Sequence, residues 1–335
     1  MVEYDLAKVV IRVRFPAAAF FWEGIMIYKL REGDTILEKY CVCGRLGKTN
    51  LNLVYDIVDT STGEHRVLKF PLLDDRDDKI RLSMATNEAK MLHKLSHPHI
   101  VEYVSHGDLN GVPYLIREKV SGWNLDECRI ADERLRVVFG GFVISQVVDA
   151  LIYLHSNSRS TTTGGGESDS PIVHGEIAHK NILISRDIFA KLNDFGLATG
   201  IEDQMGSGVQ RQFCVYNSCY VSPERLDKNL LTPASDIFSL GAVLYYAITG
   251  VLAFEQNGFD TEIDILARIR GGTFTKPSTK NKETPERLEK LIVATLEKTP
   301  KNRPSASDMK SELQEVMGSP SDDDLQKIKR VLNAA

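Results

Sequence analysis

The chain has 335 residues, 42% hydrophobic and 26% charged, with 41 Lys and Arg against 46 Asp and Glu for a formal net charge of −5. That length suits one large two-lobed domain or two ordinary ones, and the composition excludes a disordered, collagen-like or disulfide-scaffold chain. The slightly acidic balance gives no reason to invoke nucleic acid or an anionic membrane surface. Five cysteines without a paired C-x-x-C read as reduced thiols, with zinc ligation the lesser alternative.

Residues 1–33 read as an N-terminal flank able to pack through Phe20, Phe21 and Trp22. Its apolar stretch, Phe15 to Leu30, carries Glu23 and is too short to span a membrane; Glu3 and Asp5 ahead of it fit a secretory signal poorly. No membrane-spanning segment is expected anywhere, and the cytosol is the expected compartment. From Tyr40 to about Leu73, short β-branched and apolar runs broken by Gly47, Asn50, Asn52 and Gly63 predict strands and turns. A helix over Lys79–Leu95 follows, with Met84, Glu88, Met91, Leu92 and Leu95 on one stripe. Glu88 thus lies on an apolar face, where a carboxylate needs a cationic partner. Strands are predicted at Val101–Ser105 and Pro113–Lys119, then mostly helix from about Leu135. Residues 156–171 are polar and glycine-rich, a surface loop by composition. Thr232, Pro233 and Gly250 supply a cap, a first-turn proline and a stop for a helix apolar nearly all round. Leu288, Leu291, Ile292, Thr295 and Leu296 mark an amphipathic helix, and the acidic-then-basic tail after Gly318 suits a short capped one.

The order and spacing of several motifs resemble the eukaryotic protein kinase family from about Tyr40 to Met317. Val67-Leu68-Lys69 resembles its strand lysine, Glu88 the helix partner, and Arg117-Glu118-Lys119-Val120 the hinge. His174 to Asn181 (HGEIAHKN) resembles the catalytic loop, Asp194-Phe195-Gly196 the metal-binding triplet, Ser222-Pro223-Glu224 the APE motif, and Asp236 to Gly241 the central helix, with Arg303 closing the set. The resemblance implies an α+β, bilobal fold: a β-rich N-lobe over 34–118, an α-rich C-lobe over 119–317 and a tail over 318–335.

It also implies ATP and Mg²⁺ as cofactors and proteins as partners or substrates. Phosphoryl transfer needs positioning and charge stabilisation more than covalent chemistry. Lys69, fixed by Glu88, would hold the α/β-phosphates; Asp194 and Asn181 would ligate Mg²⁺, which prefers hard oxygen donors. The Glu118 carbonyl and Val120 N–H would meet the adenine edge, with Gly47, Val54, Val67, Arg117 and Leu183 around it. Glu176 stands where the catalytic base belongs. Leu92, Tyr103, His174 and Phe195, anchored by Asp236, would form the apolar spine, and Glu224 would pair with Arg303.

The pattern breaks at the chemistry. Only Gly47 survives of the glycine-rich loop, and Thr49 obstructs close approach of backbone to phosphate. His174-Gly175-Glu176 replaces the family's His-Arg-Asp. Glu176 sets the carboxylate one methylene further out, and a displacement of about 1 Å costs on the order of 100-fold. Gly175 removes the arginine that reads a phosphate on the activation segment, where Ser207, Tyr216 and Ser218 are the acceptors. Arg117 puts a cation where a medium apolar gatekeeper is usual, and Val67 crowds the adenine slot. The function expected is a pseudokinase, a scaffold or allosteric regulator with weak or absent ATP binding. The alternative is a slow ATP-dependent protein kinase, serine/threonine before tyrosine, using Glu176 as base.

Overall fold

A computed structural model of the chain describes residues 21–22, 25–26, 30–48, 51–73, 78–109, 111–156, 171–200, 218–255 and 259–334. The expectations for Phe20, Thr49, Ser207, Tyr216 and residues 157–170 lie outside the described residues. The backbone divides into two units, Met1–Ala89 with Tyr103–Lys119, and Lys90–Glu102 with Val120–Ala335.

The first unit is a six-stranded antiparallel sheet in the order β3-β4-β5-β6-β8-β7. Its strands are β3 (Thr35–Ile36), β4 (Tyr40–Lys48), β5 (Asn52–Asp59), β6 (His65–Pro71), β7 (Tyr103–Leu109) and β8 (Val112–Glu118), preceded by the two-residue pair β1 (Phe21–Trp22) and β2 (Ile25–Met26). Period-two alternation in β5 buries Leu53, Tyr55, Ile57 and Asp59 on one face. Those apolar side chains join Val42, Leu68, Phe70 and Ile116 in the unit's core. The register sets Val54 opposite Lys69, Asp56 opposite Val67, and Val67 opposite Arg117, so these residues share the other face. Helix α1 (Asp78–Lys94) buries Met84, Glu88 and Leu92 as its stripe predicts. The strand expected at Val101–Ser105 begins instead at Tyr103. Ile100 bridges to Leu192 and the Val101 N–H donates to the Leu192 carbonyl, so these residues are committed elsewhere.

The second unit is mainly helical. Its helices are α2 (Glu133–Ser156), α3 (Pro223–Lys228), α4 (Pro233–Thr249), α5 (Glu262–Gly271), α6 (Pro277–Lys280), α7 (Glu286–Thr295), α8 (Ala306–Met317) and α9 (Asp322–Ala334). Strands β9 (Gly122–Asn124), β11 (Ile182–Ser185) and β12 (Ala190–Leu192) form one small sheet; β10 (Ile172–Val173) and β13 (Thr199–Gly200) form another. Helix α4 is delimited as its sequence demands. Thr232 and Ser235 form a reciprocal capping box, Pro233 opens the first turn, and Gly250 closes the helix at φ 78°. Its buried residues, Phe238, Leu240, Val243 and Leu244 among them, point in every direction, and the helix packs against α2, α6 and α7. Gly241 is required there: an added Cβ would lie 2.0 Å from the Thr295 hydroxyl.

Helix α2, 24 residues long, is long and apolar enough to cross a membrane, although no such segment was expected; 67% of its most apolar window is buried within the fold. The burial supplies the physical reason: a helix packed by neighbours on several sides is hydrophobic nearly all round, as a membrane helix is. In the tail, α9 buries Ile328 and Leu332, and Asp324 in its first turn pairs with Arg134 of α2.

Candidate functional site

In the first unit, Lys69 on β6 donates to both carboxylate oxygens of Glu88 on α1, at 2.9 and 2.7 Å. Both side chains are buried, at 8% and 4% exposure, so the charge that the apolar stripe of α1 could not carry alone is neutralised by its neighbour strand. Val54 sits cross-strand from Lys69, and Gly47 cross-strand from Val54. A Cβ on Gly47 would meet nothing within 4 Å, so the glycine leaves open space over this part of the sheet.

Arg117, 7% exposed, lies on the Lys69 face directly opposite Val67. Its Nη1 donates to the Glu118 carbonyl at 2.8 Å. That carbonyl is the group expected to accept from an adenine, so the guanidinium occupies one of its two lone pairs with a charge-assisted bond. The obstacle read from sequence as bulk and charge is therefore also a competing hydrogen bond.

In the second unit, Asp236 at the start of α4 organises the HGE loop. Its carboxylate accepts from the His174 N–H at 2.8 Å and the Gly175 N–H at 2.9 Å, and meets His155 Nε2 at 3.0 Å. The Glu176 N–H donates to His174 Nδ1 at 3.1 Å, which leaves the proton on Nε2 to reach the Asn193 carbonyl at 3.2 Å. The ring is fully buried, and burial pushes its pKa down despite the nearby carboxylates of Asp236 and Asp194, so His174 is a neutral structural imidazole. It meets Phe195 edge-on, with centroids 4.6 Å apart.

Asn181 donates from Nδ2 to the Glu176 carbonyl at 2.9 Å, and its own carbonyl accepts from the Asn193 N–H at 2.9 Å. The loop carrying Glu176 and Asn181 is thereby tied to the segment carrying Asp194. Asp194 itself stands at φ 71°, a left-handed conformation that costs a non-glycine residue energy and marks a position held by its surroundings. Leu183 lies in β11, and Val120 opens the unit just before β9. Asn181 and Asp194 offer only oxygen donors to a metal, which fits Mg²⁺.

Glu224 and Arg303 form the expected buried pair, with two N–H···O bonds of 2.8 Å. Burial pushes the Glu224 carboxyl up, but bonds from Arg303 and Ser235 outweigh it and hold the pKa below its ordinary value. The Arg303 guanidinium also donates to the Ala234, Glu297 and Lys298 carbonyls and lies 4.9 Å from the Phe238 ring centroid.

Sequence reasoning missed Arg225. Gly175, at φ 75°, lacks the arginine of the family motif, yet the buried Arg225 of α3 donates from Nη1 to the Gly175 carbonyl, while its Nε and Nη2 make no hydrogen bond. The position directly after the Ser222–Glu224 motif was the available signal. A second missed group is a chain of contacts from the Tyr220 hydroxyl to His179 Nδ1 at 2.7 Å and from His179 Nε2 to Asp126 at 3.1 Å. Nothing in the spacing of these three residues announces it.

Two units, one a sheet with a buried Lys–Glu pair and one helical with a pinned catalytic-type loop, define a bilobal kinase fold. The family model for the protein kinase domain matches residues 40–313, and the chain belongs to that family. A probable serine/threonine-protein kinase of Clostridium acetobutylicum is 26% identical over 90% of this chain and 43% of its own length. Serine/threonine-protein kinase PrkC of Bacillus subtilis is 29% identical over 81% of this chain and 39% of its own. The chain thus spans less than half the length of these curated relatives. Among solved structures, that of Rad53 residues 1–466 in complex with AMP-PNP superposes with a TM-score of 0.62 at 23% identity, over 82% of this chain and 64% of that one.

Proposed function

We propose that this chain is a pseudokinase, a kinase-fold signalling protein that works through protein partners and holds ATP weakly or not at all. The observation that carries the reading is Arg117, buried on the Lys69 face and hydrogen-bonded to the Glu118 carbonyl. Val67 beside it adds bulk to the same face, and Glu176 with Gly175 departs from the family's catalytic triplet. The working domain in this reading runs over 34–317, between a flank over 1–33 and a tail over 318–335. The four cysteines among the described residues, Cys41, Cys43, Cys128 and Cys219, are unbridged, which supports a reducing, cytosolic setting.

A second reading, a slow serine/threonine kinase with Glu176 as base, is favoured by the formed Lys69–Glu88 pair and by relatives named serine/threonine kinases. In it Lys69 would hold the ATP phosphates and Asn181 with Asp194 the Mg²⁺. The Glu118 carbonyl and Val120 N–H would take the adenine edge among Val54, Val67 and Leu183. Mg²⁺-ATP supplies the transferable phosphoryl group; Glu176 would orient the acceptor hydroxyl and take its proton. Titration of the purified chain with ATP, with and without Mg²⁺, separates the two. A dissociation constant weaker than about 1 mM supports the first, and a micromolar, Mg²⁺-dependent one overturns it.

A further inference from the structure

Cys43, Asp56 and His65 stand on three neighbouring strands of the first unit, β4, β5 and β6, and no part of the functional reading above uses them. Their ligand atoms, Cys43 Sγ, an Asp56 carboxylate oxygen and an imidazole nitrogen of His65, all lie within 4.8 Å of one another. The register explains the convergence. Asp56 is opposite Val67, and His65 lies two residues before Val67 on the same strand, so both point to one face. Cys43 falls at a bulge between the Val42–Ile57 and Gly44–Asp56 pairs, and a bulge re-aims the side chain it carries.

The two Asp56 oxygens are already differentiated. Oδ2 accepts from Lys119 Nζ at 2.7 Å, whereas Oδ1 meets His65 Nδ1 at 2.9 Å. Lys119 thus holds one carboxylate oxygen and leaves Oδ1 to His65, as the outer partner of a metal-binding carboxylate does.

We propose that Cys43, Asp56 and His65 form a Zn²⁺ site, with Lys119 as the residue that positions Asp56. A mixed sulfur, nitrogen and oxygen set suits this borderline-soft ion and excludes Mg²⁺ and Ca²⁺, which take oxygen donors. Zn–S of about 2.3 Å and Zn–N or Zn–O of about 2.0–2.2 Å in a tetrahedron separate ligand atoms by about 3.3–3.7 Å. The His65–Asp56 contact must open by a few tenths of an ångström and the longest separation close by at most about one. The His65 side chain, 51% exposed, has the freedom to make that change. Binding releases the Cys43 thiol proton to solvent, and His65 shifts its remaining proton from Nδ1 to Nε2 so that Nδ1 can ligate. Thiolate and carboxylate together neutralise the dication, so Lys119 keeps its pairing. Three protein ligands leave a fourth position to water. The site is independent of the pseudokinase reading.

The test uses the full chain, reduced and stripped with chelator, titrated with Zn²⁺ against a chromophoric competitor and, separately, with Co²⁺ followed by absorption. One equivalent of Zn²⁺ is expected, with a thiolate-to-cobalt band in the Co²⁺ form. Cys43→Ser removes the band, Cys43→Ser and His65→Gln each weaken Zn²⁺ by at least about tenfold, and Lys119→Met weakens it by about tenfold. Cys41→Ser leaves binding as it was. No uptake at about 100 μM Zn²⁺, a Co²⁺ spectrum without the thiolate band, or equal affinity in His65→Gln overturns the proposal and leaves a Lys119–Asp56–His65 ion-pair network alone. Because His65 is half-exposed, its variant folds and decides the matter even if Cys43→Ser does not.

Discussion

Replacing Arg117 with methionine tests the obstacle directly. Arg117 is 7% exposed and donates to the Glu118 carbonyl at 2.8 Å. A hydrogen bond from a charged donor is worth about 1.5–3 kcal/mol net. An incoming adenine must share that carbonyl rather than displace the guanidinium fully, because the oxygen has two lone pairs. About half the bond is then recovered when the arginine is removed, about 0.75–1.5 kcal/mol, which is roughly four- to twelvefold in the dissociation constant. Methionine matches the length of the arginine stem and leaves no buried charge, so the fold should be retained. The assay is calorimetric or fluorescence titration of parent and Arg117→Met with ATP at fixed Mg²⁺, alongside melting of both proteins. An Arg117→Met protein that melts like the parent yet binds ATP within twofold of it would refute the reasoning.

Glu176 separates the two functional readings: on the pseudokinase reading, neither Glu176→Asp nor Glu176→Ala changes phosphate transfer to a protein substrate. Robust transfer by the parent that disappears in a normally melting Glu176→Ala protein would reverse that choice. Arg303→Ala strips Glu224 of its partner and leaves a buried carboxylate, a loss of about 3–5 kcal/mol readable in denaturant unfolding. Because the folded pKa of Glu224 is held down, the parent's extra stability is present above the ordinary Glu value near 4.5 and fades as pH falls below it. His174 adds to the same slope higher up: buried neutral, with its pKa pushed below 6.5, it lets the unfolded chain bind more protons, so stability declines as pH falls through about 6.5. A melting temperature flat from pH 7 to about 3 would contradict both assignments. Gly241→Ala forces its Cβ to 2.0 Å from the Thr295 hydroxyl, and overpacking of this kind costs about 1–3 kcal/mol, a drop of several degrees in the melting temperature. An unchanged transition would show that α4 and α7 can separate freely.

Much of this protein was legible as a string because the information was local. The limits of α4 follow from Thr232, Pro233 and Gly250, whose effects are confined to a turn of backbone. The stripe of α1 placed Glu88 among apolar residues, and elementary electrostatics then required a cation, which Lys69 supplies. Tertiary structure alone decided what depends on residues distant in sequence. Arg225 reaches Gly175 from α3 because helix and loop are packed together, not because their spacing carries a signal. The apolar run of α2 cannot declare from composition whether lipid or protein surrounds it; the α4 and α8 side chains that bury it are the answer the fold provides. Arg117 reads as an isolated cation, and its bond to the adjacent carbonyl exists only once β8 fixes both groups in an extended backbone. Cys43, Asp56 and His65 are unremarked in sequence because cross-strand register and a one-residue bulge, not proximity along the chain, bring their donor atoms to one point.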